Sequence, residues 1–193
     1  MTLRVRFVLA CTLLAQVLLK SPSLEASVLL PLSTAQLVAR AERIVVGTVV
    51  GQESHWVDGG SAIVTDVRIR VTRAVLGAQE GEIITVRRLG GTVGEIGMRV
   101  FGEASFRDGE EVLLFAERRG GAYYSVGMTQ GTLHITQQGG RRMAQMALGG
   151  AEIVGRSGVA PVVRPLEEVL DEVRRALAAR RPEPAQGRSE QTR

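Results

Sequence analysis

His55 and His134 are the only histidines in this 193-residue chain, and proton transfer or metal ligation by imidazole would have to run through them. They stand far apart, and neither H-E-x-x-H nor C-x-x-C spacing is present. Without a G-x-S-x-G elbow, a serine nucleophile such as Ser105 has no base fixed against it. Glu110 and Glu111 are adjacent, so on a strand they point to opposite faces and cannot flank one bond. Asp108-Gly109 reads as a turn. His134, between Leu133 and Ile135, shares a strand face with Thr132 and Thr136 and is expected in solvent. His55 opens a loop beside Trp56, the single tryptophan, a residue type enriched where proteins make their strongest contacts.

The glycines Gly90, Gly91, Gly94, Gly97 and Gly102 raise a second chemistry, the cradling of a phosphate. Their spacing is not G-x-G-x-x-G, and the only lysine, Lys20, lies far upstream, which removes the P-loop pattern. A phosphate loop also needs a helix opening directly after it. Here "MRVFGEASFRDGEEVLLF" follows, with the composition of strands and turns. These glycines are expected to bend a strand, and no cofactor or metal is expected.

The elements that would position these residues are mostly short strands. Ser33 with Gln36 fits a capping box and predicts a helix over about 34–41. "RIVVGTVVGQE" is rich in β-branched residues, with Gly47 as a bend. Val67, Ile69 and Val71 alternate with Arg68, Arg70 and Thr72, the signature of a strand with one buried face. Ile83–Val86, "GEEVLLFAE", "GAYYSVGM" and "GTLHITQQGG" add four further strands, bounded by glycine turns. Within 161–181, Leu166, Val169, Leu170, Val173 and Leu177 form one apolar stripe of a helix, and Pro165 suits its start. Residues 182–193 hold almost nothing to bury and are expected to be disordered.

The N-terminus is expected to be a signal peptide over 1–26: Arg4 and Arg6, an apolar run from Phe7 to Leu19, then Leu24-Glu25-Ala26. The run falls short of the ~20 residues of a bilayer span, so no stable membrane span is expected after cleavage. Cleavage would also remove Cys11, the only cysteine. The chain is formally +4. Its basic excess gathers at Arg174, Arg175, Arg180, Arg181, Arg188 and Arg193, beyond the strands, so a nucleic-acid footprint on a folded face is not expected.

Closely spaced strands with little helix between them predict a mainly β domain over 27–160, a small antiparallel barrel with a short N-terminal helix and an amphipathic C-terminal helix covering it. "AERIVVGTVVGQESHW", "TDVRIRVTRAVLG", "LGGTVGEIGMRVFGEASFRDGEEVLLF" and "YYSVGMTQGTLHI" together resemble a group of exported bacterial proteins of unknown function. More loosely, the strand order is similar to the netrin-like domain, the OB-type barrel of tissue inhibitors of metalloproteinases. Inhibition in that family depends on an N-terminal cysteine, and after cleavage this chain would have none, so the resemblance implies fold and export without that activity. The expectation is an exported, periplasmic or secreted, non-catalytic module that binds another protein through His55, Trp56, Gly90, Gly91, Gly94 and Gly97. The alternative is an envelope hydrolase or metal-dependent enzyme using His55 or His134.

Overall fold

A computed structural model describes residues 28–147, 152–153 and 163–180. The expected signal peptide, the tail expected to be disordered, Cys11, Lys20 and most of the linker before the last helix lie outside the described residues. The chain is mainly β, as its strand signals predict. β1 (Val28–Leu29) precedes helix α1 (Thr34–Arg40), whose capping box is present: Gln36 N–H donates to Ser33 Oγ and Ser33 N–H to Gln36 Oε1. Then come β2 (Arg43–Val57), β3 (Ala62–Leu76), β4 (Ile83–Leu89), β5 (Gly91–Val93), β6 (Ile96–Met98), β7 (Glu111–Arg119) and β8 (Ala122–Ser125). β9 (Thr132–Gln138), β10 (Arg141–Met146), β11 (Glu152–Ile153), β12 (Val163–Pro165) and α2 (Leu166–Ala179) complete the order.

One eight-stranded sheet runs β12-β10-β9-β7-β2-β3-β4-β8, and β8 also pairs with β7. The pairings β7, β2, β3, β4, β8 therefore return to β7. All neighbours in this sheet are antiparallel except β4 and β8, which meet in parallel through the single pair Val86–Tyr123. Register shifts in β2 fall at Val46/Gly47 and Val49/Gly51, where the two glycines let the backbone bend against β3. At Gly47 a Cβ would come within 2.6 Å of the Arg70 carbonyl oxygen.

Two cores lie on opposite faces of β2 and β7. One gathers Val45, Val49, Val67, Ile69, Ile84, Val112 and Leu114 with Phe106. The other packs Ile44, Val46, Leu113 and Phe115 against Leu37 and Val38 of α1 and against Leu166, Val169, Leu170 and Val173 of α2. Strands covered on both sides need apolar residues at every position, which is why "EVLLFAE" shows no alternation. The C-terminal stripe, expected to cover the β domain, packs on this face of the sheet. The helix itself starts at Leu166, because β12 takes residues 163–165 and pairs with β10.

Candidate functional site

β2 and β3 are each 15 residues long and form a long hairpin closed at Asp58-Gly59-Gly60. His55 and Trp56 lie within β2, opposite Val64 and Ile63, and not in the loop expected for them. Pairing with β3 carries the strand past Gln52, so the turn falls only at the Asp-Gly-Gly. Paired residues share a face and neighbours alternate, so His55 and Trp56 point to opposite sides. Trp56 keeps 40% of its surface exposed.

The glycines fold over this hairpin. Gly90 N–H donates to the Ile63 carbonyl at 2.8 Å, and the Thr65 hydroxyl donates to the Gly90 carbonyl at 2.6 Å. With the Thr65 proton committed there, the Ser54 hydroxyl donates to Thr65 Oγ1 at 2.9 Å. Gly91 sits on this pair: a Cβ there would lie 2.4 Å from both hydroxyl oxygens. β5 and β6 then form a miniature hairpin, with Gly94 at the turn at φ +61° and Gly97 opposite Thr92. The backbones of the expected contact residues are thereby brought into one region, but the His55 side chain lies on the other face of the long hairpin, beside Asp66. They build a hairpin laid on a hairpin, a more specific structure than a bend in a single strand.

A cavity of about 570 Å³ lies between this small hairpin and the segment 99–106, lined among others by Gly91, Gly97, Met98, Phe106, Arg88 and Glu103. Neither charged residue is singled out by a motif. Arg88 is opposite Thr65, the partner of Ser54, and Arg88 Nε is buried without a hydrogen-bond partner. Burial holds its guanidinium below the usual pKa, against the raising effect of the Glu103 charge. Burial pushes the Glu103 carboxyl up, opposed by the Leu89 backbone hydrogen bond and the charges of Arg119 and Arg88. Ile96 (57% exposed) and Phe101 (45%) stand in the segments bordering the cavity, and Arg99 lies 5.2 Å over the Phe101 ring.

The two histidines occupy separate places. His55 Nε2 is 3.9 Å from Asp66 Oδ2, while Arg87 holds that carboxylate with two hydrogen bonds of 2.7 and 2.8 Å. His134 is not in solvent: its side chain is 18% exposed, and its Nδ1 faces Glu110 Oε2 at 3.1 Å. β9 is an interior strand between β7 and β10, a cover that the alternation of its own sequence does not reveal. His134 Nε2 is buried without a partner. Among the described residues, no three of His, Cys, Asp and Glu gather in a metal-holding group, and no helix is long and apolar enough to cross a membrane.

Asp66 provides a pH test of the site's support. Hydrogen bonds from Arg87, more than any other influence, hold its carboxyl below the usual range. A pKa lower in the folded than in the unfolded chain adds stability that is full above the unfolded value and lost as pH falls through the folded one. The pair is partly exposed, so its contribution is at most about 1 kcal/mol. Thermal melts of the wild type and Asp66→Asn should differ at neutral pH and converge in acid. A gap that stays constant with pH would contradict this role.

Comparison of the chain with models of protein families, with curated proteins and with solved structures returns no match.

Proposed function

We infer that this chain is an exported, non-catalytic module that binds another macromolecule, a protein of the envelope or secreted space, through the end carrying Trp56 and the β5–β6 hairpin. In this reading the cycle of pairings β7-β2-β3-β4-β8 is a small OB-type, netrin-like barrel, closed at the β4–β8 seam. The observation that carries the reading is the exposure of Trp56 and Ile96 on two hairpins tied together through Ser54, Thr65, Gly90 and Gly91, with Phe101 exposed in the segment that follows. Exposed aromatic and aliphatic side chains are what a protein partner can bury.

The histidine arrangement favours binding over catalysis. His134 pairs with a carboxylate, yet its other nitrogen is sealed from any substrate, and the His55 partner is already committed to Arg87. A nucleic-acid partner is disfavoured because the tyrosines carry arginines in place of bases. Arg43 lies 4.7 Å and Arg118 5.4 Å from the Tyr123 ring, and Arg119 lies 4.5 Å from Tyr124. Arg43 is itself neutralised by Glu82 at 2.6 Å.

The test is capture from envelope and secreted fractions with wild type and with Trp56→Ala. A specific protein retained by the wild type should bind the variant about thirtyfold more weakly, the effect of losing a contact hot spot. Equal recovery with an unchanged melting temperature would remove this surface from the function.

A further inference from the structure

Arg88 is the residue whose chemistry the fold leaves incomplete. Its buried Nε has no hydrogen-bond partner, and no ion pair among the described residues includes it. Glu103 lines the same cavity and acts on Arg88 through its charge, but does not close an ion pair with it. A guanidinium whose Nε is buried without a partner is favoured by an anion at its open side, and its forked donors match a carboxylate. Met98, Val100 and Phe106 line the cavity beside it, giving apolar surface for a stem, and Arg99 adds a second cation. At about 570 Å³ the cavity is of ligand size, far larger than a bare anion requires.

We propose that this cavity receives a carboxylate on an apolar stem, presented by the protein partner, with Arg88 as its counter-ion. This rests on the partner-binding reading above and names the chemistry the partner must offer. Ile96 and Phe101, exposed next to the lining residues Gly97 and Val100, give a partner chain apolar surface that a free small acid would leave uncovered.

The test needs no identified partner. Amide NMR spectra of the ¹⁵N-labelled full chain at about pH 8, where carboxylates are ionised, are followed during titration with three probes: N-acetyl-leucine, its neutral amide N-acetyl-leucinamide, and acetate. N-acetyl-leucine should give saturable shifts at the Gly91 and Gly97 amides, and its amide none. Arg88→Gln should weaken binding at least about tenfold. Glu103→Gln, which removes the competing carboxylate, should tighten it severalfold, and this arm decides if Arg88→Gln does not fold. The proposal is overturned by equal shifts with the amide, by unchanged binding in Arg88→Gln, or by weaker binding in Glu103→Gln. Acetate binding as tightly as N-acetyl-leucine would overturn the partner-borne stem. Failure of these titrations leaves the Trp56 capture result standing, so the two readings fall separately.

Discussion

Phe115→Ala is expected to lower the free energy of unfolding by about 4 kcal/mol, to be read from urea denaturation with an unchanged slope. Phe115 is the largest of the fully buried side chains, 1% exposed, and belongs to the core that holds α1 and α2 against the sheet. Its neighbours there come from both helices and from β2, which shares a ladder with β7, so sheet and helices are held by separate hydrogen-bond networks. They cannot all close around a missing ring, so the variant pays the lost transfer energy and also keeps a cavity. The face matters. Because Leu113 and Phe115 point to the helices and Val112 and Leu114 to the opposite core, Phe115→Ala should loosen the helices and leave the cavity at Arg88 in place. Hydrogen exchange should therefore quicken in α2 well before it does in β3. A loss below about 1 kcal/mol would mean that the helices do not seal this face.

The same two-sidedness sets what a reader of the sequence can see. β3 has one wet face, so its Val67, Ile69 and Val71 alternation is plain, and the capping box and the helical stripe are equally local signals. β10 is not visible: "RRMAQM" has weak strand propensity and exists as a strand because β9 turns back through Gly139-Gly140 to pair with it. The burial of His134 has the same origin, since its cover comes from Glu110, across the sheet from it. At the candidate site, Trp56 and the glycines stand out in the sequence by residue type alone, which carries no sign of their proximity. Arg88 was legible only as one arginine among many. What sets it apart is its place opposite Thr65, with no carboxylate at ion-pair distance among the described residues, and that is a property of the register.

Gly91→Ala is the second large effect, a loss of about 3 kcal/mol, and its meaning comes from comparison within one hairpin. The new Cβ would sit 2.4 Å from Ser54 Oγ and Thr65 Oγ1 while the backbone holds φ +148°. Those hydroxyls cannot simply swing away, because Thr65 donates to Gly90 and Ser54 to Thr65. Moving them leaves a buried carbonyl without its donor. Gly94→Ala meets no atom within 4 Å and bears only the strain of φ +61°, so it should cost about 1 kcal/mol. Gly97→Ala has ordinary backbone and its nearest neighbour at 3.7 Å, so its effect should stay within about 0.5 kcal/mol. Gly91 stands first because the hairpin is pressed on β2 and β3 there, and Gly94 exceeds Gly97 only through its positive φ. Three similar losses would instead describe a segment free of that framework, and both the fixed surface around Trp56 and the burial of Arg88 Nε would lose their support.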